Sequence, residues 1–137
     1  GGAGTPTPVG TPGVGIPSNL LLALLTNGSG DNGDGTLTTV VAATVSDING
    51  NPVPDGTQVL FSIASPTTGA VISSPSGTNQ DPLCDVSNFE IDTGVTVLNQ
   101  PGVAHACITY PTLQAGTGRT ITAVSGAASD SQVVSLP

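Results

Sequence analysis

The chain has 137 residues, with 19 Gly, 12 Pro, nine acidic residues, one basic residue (Arg119) and a formal net charge of −8. A single cation excludes the basic patch that nucleic-acid binding by counterion release needs and excludes attraction to an anionic membrane surface; a single Glu (Glu90) excludes the composition of coiled coils and helical bundles. With 36% hydrophobic residues and a mean hydropathy of +0.23 the chain is not of the disordered class, and its Val/Thr/Ser/Gly/Pro balance is that of an all-β protein rich in turns.

The length admits one domain. The aromatics are Phe61, Phe89 and Tyr110. The core must therefore be built from Val, Ile, Leu and Ala, thin enough to lie between two sheets. Residues 1–18 form a Gly/Pro-rich extended segment, GGAGTPTPVGTPGVGIPS, read as a polyproline-like linker or as a donor strand. The chain opens at Gly1 without Met or a signal peptide, as a processed N-terminus would. Residues 19–27 (NLLLALLTN) suit a buried strand or a short helix, which periodicity does not separate. Their apolar run is far below the ~20 residues that span a bilayer. NGSGDNGDG (27–35) is a dense turn segment.

Residues 36–46 (TLTTVVAATVS) alternate as a half-buried strand, with Leu37, Thr39, Val41, Ala43 and Val45 on the core face. The opposite face is unusually apolar, because Val40 and Ala42 lie in it. Residues 47–55 turn at Asn49-Gly50. Residues 57–64 alternate again with Val59, Phe61 and Ile63 inward, and 69–73 make a short strand. A polar excursion of about 74–100 follows. Residues 102–110 place Ala104, Ala106 and Ile108 on one face and Val103, His105, Cys107 and Thr109 on the other; 119–125 and 128–136 form a last pair around Gly126. Seven or eight short strands at this spacing predict a β-sandwich.

Cys84 and Cys107 are compatible with one disulfide and thus with an oxidising compartment. Two cysteines do not make a zinc site, and the only His (His105) does not complete one.

The run DGTLTTVVAATVSDINGNPVPDGTQVLFSI (34–63) resembles the bacterial immunoglobulin-like domain of group 1, the repeat of invasin- and intimin-type adhesins. The residues that carry the resemblance are Asp34-Gly35-Thr36, Ala43 to Asp47, Asn49 to Pro54, and Asp55-Gly56 before Val59 and Phe61. Gly102-Val103-Ala104 and the closing TITAVSGAASDSQVVSL are also similar, so it extends over about 19–136. It implies an immunoglobulin-like β-sandwich over 19–137, with 74–100 as an insertion where the family has a short tip. It also implies that Cys107 faces outward, so that a Cys84–Cys107 bridge staples the insertion to the outside of a sheet.

No carboxylate pair or Gly-x-Ser-x-Gly context supports an enzyme, and no cofactor is expected. His105 is read as a surface or packed residue. Asp31 and Asp34 are the candidate calcium ligands of 31–35. The ligand frame would need an acid where Gly30 stands, so a plain turn is the favoured reading. Asn27-Gly28-Ser29 is a glycosylation sequon.

The functional expectation is a structural, non-enzymatic extracellular subunit that self-assembles into a cell-surface filament or pilus. Its partner is a second copy, with a host or cell-surface ligand as a further partner, and neither nucleic acid nor a membrane span is involved. The mechanism expected is N-terminal strand addition through Val9, Val14, Leu20, Leu21, Leu22, Leu24 and Leu25, with Val40 and Ala42 offering the face to be covered. The alternative is a single module of a surface adhesin or lipoprotein. A carbohydrate-binding module is disfavoured by the scarcity of stacking aromatics.

Overall fold

A computed structural model describes residues 12–137. Among these the elements are β1 (Asn19–Leu24), β2 (Gly30–Asp31), β3 (Thr36–Ser46), β4 (Gln58–Ile63), β5 (Val71–Ile72), β6 (Ser76–Gly77), α1 (Ser87–Thr93), β7 (Val103–Pro111), β8 (Gly118–Ser125) and β9 (Ala128–Ser135). Val9 lies outside the described residues.

Two antiparallel sheets result. One has the order β1-β3-β7-β5, with β2 also on β3; the other has the order β6-β4-β8-β9. Without β2 and β6 this is the A-B-E-D and C-F-G arrangement of a constant-type immunoglobulin domain. The chain is an all-β sandwich.

Period-2 sequence fixes which side of each strand is inside. Val41, Ala43 and Val45 of β3, Ala104, Ala106 and Ile108 of β7, Val59 and Phe61 of β4, and Ile121 and Ala123 of β8 meet in one core. Residues 20–25, which fit helix or strand equally in the sequence, are strand: β1 pairs with β3 from Asn19↔Ser46 to Leu24↔Val41. The tertiary partner settles the ambiguity, because the alternate leucines at 20, 22 and 24 all reach the core and a helix would point them apart. The 27–35 turn segment holds the short β2. Tyr110, fully buried, donates its hydroxyl to the Pro137 carbonyl and ties β7 to the chain's last residue.

The 74–100 segment departs most from a polar excursion. It contains α1, whose first turn is bounded by an Asp85 carboxylate accepting the Ser87 N–H (2.9 Å) and hydroxyl (2.6 Å). Gly94 ends the helix in the left-handed conformation, φ 71°, which costs glycine little.

Candidate functional site: a covered outer face and a strand edge

The outer face of the first sheet carries the disulfide. Cys84 and Cys107 are bridged. Cys107, Val40 and Phe89 form a second apolar cluster, with Leu25, Val86, Val95 and Val97 packed on it. The insertion from Cys84 to Val97 thus lies on the outside of the sheet, held covalently and by burial, while Ser76–Gly77 ahead of it pairs as β6 with β4 in the second sheet.

Here the structure corrects the expectation for Val40 and Ala42. Val40 is fully buried under the chain's own insertion and Ala42 is half-buried, so neither lies on an open face awaiting a strand from a neighbour. Two-sided burial also explains why the outward parity of β3 and β7 is so apolar: both sides of these strands are interior, as in strands covered on both faces.

α1 approaches β2 at one point only a glycine allows. A Cβ on Gly30 would lie 2.3 Å from the Phe89 nitrogen. Around that contact the Asp92 carboxylate accepts the Asp31 N–H (2.7 Å) and Asn88 donates to Asn32 (3.1 Å). Glu90 accepts the Val97 N–H at 2.8 Å, which closes the insertion on itself. Asp31 and Asp34 spend carboxylate oxygens on the Gly33 and Thr36 N–H groups, the roles of turn residues. Among the described residues no group of three or more His, Cys, Asp or Glu is placed to hold a metal ion. Asn27 is exposed in the turn after β1.

His105 sits on the same outward face, opposite Ala42, and is 2% exposed with its Nδ1 unpartnered. Burial alone holds its pKa below the ordinary 6.5. The neutral ring is therefore the folded form. As pH falls below the unfolded pKa the unfolded chain takes up a proton that the folded chain refuses, so stability present above that pKa is lost on acidification. Thermal unfolding between pH 7 and pH 5 is expected to show the wild type losing stability on acidification and His105→Phe losing less, which a melting series at stepped pH measures.

β1 is the edge of its sheet. Its Leu22 side chain is 2% exposed in the core, while its N–H points off the edge to the Asp130 carboxylate of β9 at 3.0 Å. Asp130 lies opposite Ala123, on the inward side of the second sheet. It is an inward-pointing acid on an edge strand, one of the devices that stop a sheet from templating another chain. The Leu22 N–H, then Gln132, hold its carboxyl below the usual range.

The segment before β1 docks on the 47–55 turn. Asp47, 1% exposed, accepts the Asn49, Asn51 and Gly15 N–H groups. Burial pushes its pKa up, but these bonds outweigh that and leave it lowered. Asn49 donates to the Pro12 carbonyl at 3.3 Å. Val14 and Ile16 stay exposed at 57% and 62%. Of the residues expected to join subunits, Leu20, Leu22 and Leu24 thus pack in the chain's own core, Leu25 packs under the insertion, and Leu21 and Val14 are exposed.

The fold and this face define a disulfide-stapled β-sandwich. No known protein family, curated protein or solved structure matches the chain. No helix among the described residues is long and apolar enough to cross a membrane.

Proposed function

We propose that this chain is a structural, non-enzymatic extracellular module of the bacterial immunoglobulin-like type that assembles with copies of itself, and that exchange of β1 between neighbours is the joining step. The observation that carries this reading is the position of β1. It is an edge strand bound by one ladder and one side chain, between a Gly/Pro-rich segment and the 27–35 turn. It can leave without breaking any other ladder. Its departure uncovers Val41, Ala43 and Val45, which a neighbour's Leu20, Leu22 and Leu24 would cover with the same contacts. A head-to-tail exchange does not close and so propagates a filament. The disulfide supports the extracellular part of the reading.

A second reading, one module of a surface adhesin or lipoprotein, is favoured by a different observation. β1 completes the sheet within its own chain, so the sandwich needs no strand from elsewhere.

A cysteine pair separates the two. Ala23 and Ala42 are cross-strand partners on the outward side of β1 and β3, at the ~5.5 Å spacing a disulfide accepts. Ala23→Cys with Ala42→Cys, oxidised after incubation under assembly conditions, is expected to give a ladder of covalent oligomers on a non-reducing gel. A single monomer band would overturn the exchange and leave the module reading standing.

A further inference from the structure

We propose that Asn27 is a self-modification site: the Gly28 main-chain nitrogen displaces its carboxamide nitrogen, and hydrolysis leaves an aspartyl or isoaspartyl residue at position 27. The inference rests on neither the exchange of β1 nor self-assembly.

The chemistry needs a free nucleophile, a free carboxamide and water. The Gly28 nitrogen gives up its proton and bonds to Asn27 Cγ, closing a succinimide ring. The Cγ–Nδ2 bond breaks, and ammonia leaves carrying a proton in place of the one given up. Water then opens the ring. Breaking the new N–Cγ bond gives aspartyl; breaking the original peptide bond gives isoaspartyl, in which the main chain runs through Cγ and is one methylene longer. Glycine favours the attack because it lacks a Cβ and its backbone moves most freely.

The chain has three Asn-Gly pairs, at 27–28, 32–33 and 49–50. Sequence ranks them equally; their hydrogen bonds do not. At Asn32 the carboxamide donates to the Thr36 hydroxyl (3.0 Å) and the Thr38 hydroxyl (2.9 Å) and accepts from Asn88 (3.1 Å). The Gly33 N–H donates to the Asp31 carboxylate at 2.8 Å, a negative charge that opposes loss of its proton. At Asn49 the carboxamide donates to the Pro12 carbonyl (3.3 Å) and the Gly50 N–H to the Asp47 carbonyl (3.0 Å). At Asn27 neither the carboxamide nor the Gly28 N–H has a partner among the described residues. Only the carbonyl of Gly28 is held, by the Thr39 hydroxyl at 2.8 Å. Asn27 is exposed in the bend after β1, where water reaches the ring.

The product falls where chain length matters. The Leu25 N–H is bound to the Val40 carbonyl at 2.8 Å, and Gly30 packs its bare Cα against the Phe89 nitrogen. An isoaspartyl link adds a methylene between these two fixed points. The close approach of Gly28 to Thr93, where a Cβ would lie 2.9 Å from Thr93 Cγ2, is within that stretch and is the contact expected to loosen.

The full chain, aged at mildly alkaline pH with and without urea, tests this by peptide mapping with electron-transfer fragmentation, which separates isoaspartyl from aspartyl. In the folded chain the product at Asn27 is expected to accumulate at least about tenfold faster than at Asn32 or Asn49, the cost of first breaking the bonds that hold those pairs. In urea the three rates are expected to converge. Asp31→Ala releases the Gly33 N–H and is expected to speed the reaction at Asn32 several-fold, leaving Asn27 unchanged. Asn27→Gln is expected to abolish the product at 27 with far-ultraviolet dichroism unaltered. Reaction first at Asn32 or Asn49, equal rates at the three pairs in the folded chain, or no product at Asn27 overturns the proposal. An Asn32 rate unmoved by Asp31→Ala overturns the hydrogen-bond protection on which the selection stands.

Discussion

Replacing Cys84 and Cys107 together by Ala is expected to lower the free energy of unfolding by about 3–3.5 kcal/mol, the chain-entropy value for a closed loop of this length. The bridge spans a sequence separation of 23 residues, and that loop holds α1, the rest of the insertion after Cys84 and the start of β7. Without the link the unfolded loop regains its freedom, while the folded insertion keeps only Phe89, its partly buried neighbours and a few hydrogen bonds. The loss has a location. The N–H groups of Glu90 and Gly94, bonded within α1, and that of Val97, bonded to Glu90, are expected to exchange with solvent well before those of β3 or β8. Urea unfolding gives the first quantity and residue-resolved hydrogen exchange the second. Uniform acceleration across the sandwich would show that the insertion does not open as a separate unit.

The same segment marks where sequence reading stops. β3 is legible because 11 residues of alternation leave no other register, and the β8–β9 hairpin because two apolar runs flank Gly126. The disulfide follows from cysteine count alone. α1 is not legible in that way. Seven residues make two turns, too few for a 3.6-residue period to show. The local marks are Asp85 before the first turn and Gly94 after the last, a start and stop signal that polar composition hides. What makes the helix stable is non-local: Phe89 against Val40 and Cys107, and the missing Cβ of Gly30 far back in the chain.

The misplacement of Val40 has the same origin. Alternation gives the two faces of a strand but not what lies on each. An apolar outward face reads equally as an open groove or as a surface already covered. The chain covers Val40 with its own insertion. Asp130 is illegible for the opposite reason. Its parity puts a carboxylate on the core side of β9, which looks like an error until the edge of β1 supplies the N–H it binds. Both features need the third dimension, because they join residues more than 40 positions apart.

Phe89→Ala is expected to cost about 3–4 kcal/mol, and the reason is that the cluster it anchors has no redundancy. Phe89 is fully buried, and the only fully buried hydrophobic it meets there is Val40, beside a Cys107 already fixed by its bridge. Truncation removes the transfer free energy of the ring and leaves a cavity that the bridge at Cys84 and the Gly30 contact prevent from collapsing. A melting temperature lower by roughly 10 °C corresponds to this in a chain of this size. The two changes discussed here act on one structure, so they are expected not to add. With the bridge gone the insertion can detach as a whole, and losing Phe89 then costs only what remained of the insertion's own docking energy. The triple variant Cys84→Ala, Cys107→Ala, Phe89→Ala is therefore expected to unfold at least 1 kcal/mol later than the sum of the separate losses requires. Strict additivity in that cycle would mean that the bridge and the ring stabilise the first sheet independently, and that the insertion is not the single cooperative cover its contacts describe.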